Sequence, residues 1–244
     1  MFDATADRYD AARPDYPDEL FDDLVELARL ETGARLLEIG CATGKATRPL
    51  LARGFHLTCV ELGPNLAAVA RRTTAAEIHV APFESWPGEP HSYDLVFAAT
   101  AWHWLDPELR HSKAHEQLRE RGHLAFWAAT HAFPPGFDPF FTEIQEVYDA
   151  IGESHPGEWP PSDPFDDADK VEASGYFERP VVRRYVWAID YTADEYIALL
   201  DTFSGHIAMP DASRERLYAE IRRRLGPRTV RRHWQAGLHV ARAV

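Results

Sequence analysis

Two carboxylates flank a glycine turn in this chain, and together they could hold a ligand. Glu38 ends an apolar run and is followed by Gly40-Cys41-Ala42-Thr43-Gly44, and Glu61 ends the next apolar run. Small residues through such a turn let the backbone approach a ligand closely. A pyrophosphate cradle would want a second glycine at position 42 and a third small residue three positions on. Ala42 stands in the second place, Gly44 comes too early, and Glu38 would repel phosphate, so a ligand carrying an ammonium group fits better. Glu61 lies near the offset of about 20 residues at which an acid reaches ribose hydroxyls in such folds. The pair points to a nucleoside with an attached amino acid. His103, between Trp102 and Trp104, follows a third apolar run; an imidazole of unperturbed pKa about 6.5 is neutral at pH 7 and can take a proton.

The elements that must position these residues alternate. Leu20, Phe21, Leu24, Leu27 and Ala28 recur at helical spacing behind Pro17 and Asp18, after an irregular arm over residues 1–17. Strands are expected over 35–40, 55–62, 78–81, 93–100 and 123–129, with helices over 46–53, 66–72 and 107–119 between them. Pro49 is tolerated near a helix start, where its missing N–H has no partner to lose. Strands alternating with helices predict a parallel sheet that binds ligands beyond its strands' carboxyl ends.

From about 131 to 180 the texture changes. Seven of the 18 prolines fall between Pro134 and Pro164, around one helix built on Phe140, Phe141, Ile144, Val147, Tyr148 and Ile151. This reads as a helical lid insertion. Beyond it come a strand over 181–189, helices over 193–203 and 213–225, and a final strand region over 230–244. The expected fold is therefore α/β, Rossmann-like: a seven-stranded, mostly parallel sheet with helices on both faces, in one domain over 1–244.

Composition removes several classes. Lys and Arg number 26 against 39 Asp and Glu, a net charge of −13, which argues against general affinity for nucleic acid or anionic membranes. Arg214, Arg216, Arg222, Arg223, Arg224, Arg228, Arg231 and Arg232 cluster, but Leu217, Ile221 and Leu225 form a helical stripe that leaves most of them on a solvated face. Cys41 and Cys59 lack the spacing of a zinc site and read as packing residues, so no metal is expected. Met1 to Asp10 does not read as a signal peptide, and no apolar run reaches membrane-spanning length; a cytoplasmic protein is expected.

On Leu37-Glu38-Ile39-Gly40-Cys41-Ala42-Thr43-Gly44, Val60-Glu61-Leu62, Tyr93-Asp94-Leu95-Val96, Ala101-Trp102-His103-Trp104 and the stretch 119–124, the chain resembles class I S-adenosylmethionine-dependent methyltransferases. The small-molecule branch that includes trans-aconitate methyltransferases is the most similar, and Tyr9…Arg13-Pro14…Tyr16-Pro17 is an arm of that branch's form. The resemblance covers roughly the first 130 residues. It implies transfer of a methyl group from S-adenosylmethionine to a small-molecule acceptor at oxygen, nitrogen or carboxylate, leaving S-adenosylhomocysteine. It implies that Glu38 and the Gly40, Ala42, Thr43 and Gly44 backbone hold the methionine part, with Tyr9 and Arg13 at its carboxylate. Glu61 would bind the ribose hydroxyls, beside Leu62, with Phe83 over the adenine. The family's usual acid in the third-strand loop is replaced by Pro82, and Glu84 is its substitute; Ala98 and Ala99 complete the cofactor set. His103 would be catalytic, and Tyr16, Trp102, Trp104, Phe133 and Trp159 would meet the acceptor. A nicotinamide-dependent oxidoreductase and a binding-only relative are the alternatives, and the sequence leaves monomer and homodimer both open.

Overall fold

A computed structural model describes residues 3, 6–154, 159–160 and 167–244; the parts of the expected insertion at 155–158 and 161–166 lie outside them. The chain forms two units, one of residues 14–129, 165–185 and 236–244, the other of residues 1–13, 130–164 and 186–235.

The first unit holds the parallel sheet. β1 (Arg35–Ile39), β2 (His56–Glu61), β3 (Glu77–Val80), β4 (Tyr93–Ala99) and β5 (Leu118–Trp127) pair in parallel in the order β3-β2-β1-β4-β5. The carboxyl-terminal part of β8 (Val230–Arg242) closes β5 antiparallel. β1 and β4 are almost wholly buried, as near-continuous apolar runs covered on both faces must be. Strand order reverses between β1 and β4, so the loops after them flank the fold's natural ligand crevice. Leu37, Ile39, Val60, Val96, Leu124 and Phe126 share one core cluster. α2 (Asp18–Leu27) buries Leu20, Phe21 and Leu24 completely, each worth roughly 1.5–3 kcal/mol. α3 (Thr47–Ala52) carries Pro49 in its first turn, and α4 (Pro64–Thr73) starts on Pro64, where a missing N–H costs nothing.

Several expected boundaries move. β5 begins at Leu118, directly after α5 (Arg110–Gln117), because Tyr93 pairs with Leu118 before the register shifts and Leu95 pairs with His123. Arg121, at φ 63, lies in that irregularity. β6 (Ala129–Ala132) and β7 (Val181–Tyr191) bring the sheet to eight strands, one more than expected, with β8 next to β6 and β7 pairing β8.

In the second unit, residues 6–12 are not irregular: they form α1 (Ala6–Ala12), which packs on α9 (Ala193–Leu200). The single expected helix over 140–151 is two, α6 (Phe140–Glu143) and α7 (Gln145–Ala150), divided at Ile144. Between that stretch and β7 the chain forms α8 (Ala168–Ala173) in the first unit. α9 starts at a capping box: the Thr192 hydroxyl accepts from the Glu195 amide and the Glu195 carboxylate accepts from the Thr192 amide, which satisfies two otherwise orphaned donors. α10 (Ser204–Ala208) and α11 (Asp211–Leu225) follow, and Gly226 at φ 55 stops α11. No helix among the described residues is long and apolar enough to cross a membrane.

Candidate cofactor-binding site

The turn after β1 is built from three residues in the left-handed region: Gly40 at φ 67, Ala42 at φ 48 and Gly44 at φ 90. A methyl group on Gly40 would come within 2.7 Å of the Ala101 Cβ, and one on Gly44 within 2.6 Å of the Thr74 Cγ2, so both positions need glycine for space as well as for backbone shape. Ala42 sits in this region at a cost of about 1–2 kcal/mol. What holds it there is a charge-assisted bond: the Ala42 amide donates to Glu61 Oε2 at 2.8 Å, and the Gly63 amide donates to Oε1 at 2.8 Å. Glu61 thus ties the ends of β1 and β2 together before any ligand is considered. Leu62 beside it is 68% exposed, an apolar face at the strand end.

Glu38 behaves differently from expectation. Its carboxylate is fully buried and accepts a 2.5 Å bond from the Thr47 hydroxyl on α3, with the Cys59 thiol at 3.9 Å. Its Oε2 is turned to α3. Burial pushes its pKa up to about 7, opposed by the Thr47 bond and aided by the charge of Glu61. Cys41 and Cys59 are free and buried in one apolar cluster with Ala67 and Ala70, as packing residues should be. The Thr43 carbonyl accepts from Arg48 and from the Thr73 hydroxyl, whereas the buried Thr43 hydroxyl has no hydrogen-bond partner.

Beyond β4 the expected residues separate into exposed and buried. Ala98 is fully buried in the core cluster and Ala99 is half-buried at the strand end. Trp102 is 1% exposed, stacked on Phe126 at 5.2 Å with the Arg110 guanidinium over its ring; its bulk fills the core and is not open to an acceptor. Phe83 is likewise core, packed in the same cluster. Pro82 is exposed, and Glu84 Oε1 accepts from the Asp106 amide. His103 and Trp104 are exposed on a 3-10 turn, with ring centres 5.1 Å apart. Partial burial and the Arg110 charge hold the His103 pKa below its ordinary value.

One residue at this edge escaped the sequence reading. Thr100, at φ 58, is strained where β4 ends; its hydroxyl is 2.9 Å from the Tyr16 hydroxyl and accepts from the Ala129 amide. A bulky β-branched residue in the left-handed region is a backbone outlier of the kind that collects at functional sites. Nothing in the residue type announces such a dihedral. Tyr16 packs edge-on against Phe21 and Trp127.

The remaining expected residues belong to the second unit. Arg13 donates to the Thr202 hydroxyl at 2.8 Å and carbonyl at 2.7 Å, and its guanidinium lies 5.2 Å from the Tyr9 ring and 4.1 Å from the Phe203 ring. Phe133 packs on His131, Phe137 and Trp159. The arginine cluster is only partly the solvated face expected of it. Arg222, Arg223, Arg224 and Arg228 pair with Asp194, Glu220, Glu146 and Asp138, whereas Arg232 is buried on β8. The missed signal is an alternation, because Val230, Arg232, Trp234 and Ala236 share one face of a strand.

Fold and turn together define a Rossmann-like α/β domain with its ligand crevice beside β1. Residues 37–126 match the methyltransferase domain family. Among curated proteins it is 34% identical over 126 residues to an uncharacterized methyltransferase of Mycobacterium tuberculosis, covering 50% of this chain and 49% of that one. The chain spans about half the length of the mycobacterial relatives it matches. A solved methyltransferase structure from Anaeromyxobacter dehalogenans superposes with TM-score 0.66 at 25% identity, covering 94% of this chain and 97% of that one. A Haemonchus contortus phosphoethanolamine N-methyltransferase, solved with phosphomonomethylethanolamine and S-adenosylhomocysteine, shares the fold at TM-score 0.53 and 16% identity, over 98% of this chain and 57% of that one.

Proposed function

We propose that the chain binds S-adenosylmethionine and transfers its methyl group to a small-molecule acceptor, releasing S-adenosylhomocysteine. The observation that carries this reading is the Glu61 carboxylate at the end of β2, held by the Ala42 and Gly63 amides beside the left-handed turn that follows β1, where an acid can meet ribose hydroxyls. The buried Thr43 hydroxyl without a partner and the exposed Leu62 side chain fit a polar and an apolar part of the same ligand. Bound cofactor would supply an electrophilic methyl on a sulfonium. The Gly40 to Gly44 backbone and Glu61 would orient it, and the apolar wall would exclude water, which is most of what an in-line displacement with a neutral leaving group asks of a protein.

His103 acts as a base in this reading only where the acceptor carries a proton, as a phenol, alcohol or ammonium does; a carboxylate is already nucleophilic at pH 7. Tyr16, Trp104, Phe133 and Trp159 are the residues assigned to the acceptor, and Tyr9 and Arg13 remain assigned to the cofactor's carboxylate. A trans-aconitate-like acceptor is the finer form of the proposal, and a cytoplasmic location goes with it. A nicotinamide-dependent oxidoreductase is disfavoured by Ala42 and the early Gly44. A product assay for S-adenosylhomocysteine over a panel of phenols, amines and carboxylic acids tests the reading; cofactor binding without turnover on any of them would leave the binding-only alternative.

A further inference from the structure

Arg232 is a cation placed where a cation is costly. On β8 it alternates with Val230 and Trp234 on the inward face, and it is 6% exposed. Its neighbours in sequence, Arg228 and Arg231, pair with Asp138 and Asp190, yet no carboxylate among the described residues pairs with Arg232. Its Nε has no acceptor. Around it stand the Trp234 ring at 4.4 Å, the Phe203 ring at 5.5 Å and the Tyr196 phenol. Arg13, whose guanidinium also lies over Phe203, adds a like charge. Asp201 acts on the neighbouring His206, but it accepts from the Tyr218 hydroxyl and is not among the charges bearing on Arg232.

An uncompensated buried charge costs several kcal/mol, and proteins that keep one usually have a counter-ion for it. Aromatic faces recover only part of that cost. Further buried groups of the same unit lack hydrogen-bond partners, among them the Trp187 Nε1, whose ring stacks on Trp234 at 6.4 Å, and the His131 Nε2. Burial and the Arg232 charge push His131 down to about 2 and His206 down to about 4, so neither adds positive charge near neutral pH. The surroundings are thus one unpaired guanidinium edge, indole and phenyl faces, and neutral polar groups.

We propose that the second unit is a binding site for a planar aromatic or conjugated monocarboxylic acid, with the carboxylate against the Arg232 guanidinium and the apolar body against the half-buried Phe203 ring. A guanidinium fork matches a carboxylate edge-on, and the aromatic walls select an acid with a flat body over a compact polyanion. The inference goes beyond methyl transfer, because it concerns the second unit alone and holds whether or not the bound acid accepts a methyl group.

Titration calorimetry of the full chain with trans-cinnamate, methyl cinnamate and inorganic phosphate tests it. Cinnamate is expected to bind, and its methyl ester at least tenfold more weakly; Arg232→Gln is expected to abolish that preference. No binding of cinnamate, equal binding of acid and ester, tighter binding of phosphate, or a preference that survives Arg232→Gln would each overturn the proposal. Should the glutamine variant fail to fold, Arg232→Lys replaces it: affinity for cinnamate should fall at least threefold as the planar fork is lost, and an unchanged affinity counts against the site. No methyl donor is present in these titrations, so their failure and that of the methyl-transfer reading are separable.

Discussion

Three side chains near the carboxyl ends of β1 and β4 each carry an expected outcome. Glu38 is protonated more readily in the folded chain than in the unfolded one, since burial lifts its pKa to about 7. The native state therefore binds the extra proton between about pH 4.5 and 7, and stability falls as pH rises through that window. Glu38→Gln keeps an acceptor for Thr47 without the charge. It should flatten that fall and make the protein more stable at pH 8 by about 2–3 kcal/mol, read from urea midpoints at pH 5 and pH 8; a variant no more stable than wild type at pH 8 contradicts the assignment. Ala42→Gly relieves a left-handed alanine but frees the unfolded chain, so a net gain of about 0.5–1 kcal/mol is expected in the same assay. His103, held below its ordinary pKa, should be neutral above about pH 6.5. If it serves as base, His103→Ala lowers the single-turnover rate by about 10²–10⁴ with cofactor affinity and melting temperature unchanged. A wild-type rate in the folded variant removes it from the mechanism.

Among the elements, α1 differs most from its sequence. Residues 6–12 carry no apolar stripe long enough to announce a helix, and α1 is instead fixed by tertiary contacts, with Arg13 bonded to Thr202 and lying over Phe203. Arg13→Met should speed amide exchange across residues 6–12 by about tenfold or more, which is the loss of roughly 1.4 kcal/mol of local protection; unchanged exchange means that other contacts hold α1. The strands and the first glycine turn were legible, because β1, β2 and β4 are continuous apolar runs punctuated by Gly40 and Gly44. The start of β5 was not, since Leu118 and Arg119 read as the end of a helix and 120–122 as neither helix nor strand, and only pairing with β4 draws them into a strand. Trp102 and Phe83 were misplaced for a related reason: residue type and proximity to the site say nothing about which way a side chain turns, and both turn into the core.

For the whole molecule, the alternation of strands and helices was enough to give a parallel sheet with its crevice at the exit of β1, but not the order β3-β2-β1-β4-β5, and the second unit, drawn from three separate stretches of chain, has no signature in local periodicity. The central claim is that the carboxyl end of this sheet binds a nucleoside bearing an amino acid, with Glu61 on the ribose. Titration calorimetry of wild type and Glu61→Ala with S-adenosylmethionine, S-adenosylhomocysteine and a nicotinamide dinucleotide tests it most directly. Both S-adenosyl ligands should bind the wild type, the dinucleotide should not, and Glu61→Ala should weaken binding by roughly 1–3 kcal/mol, because it loses charge-assisted bonds to the ribose as well as the clamp on Ala42. Equal affinity in the folded variant, or tighter binding of the dinucleotide by the wild type, would contradict the account.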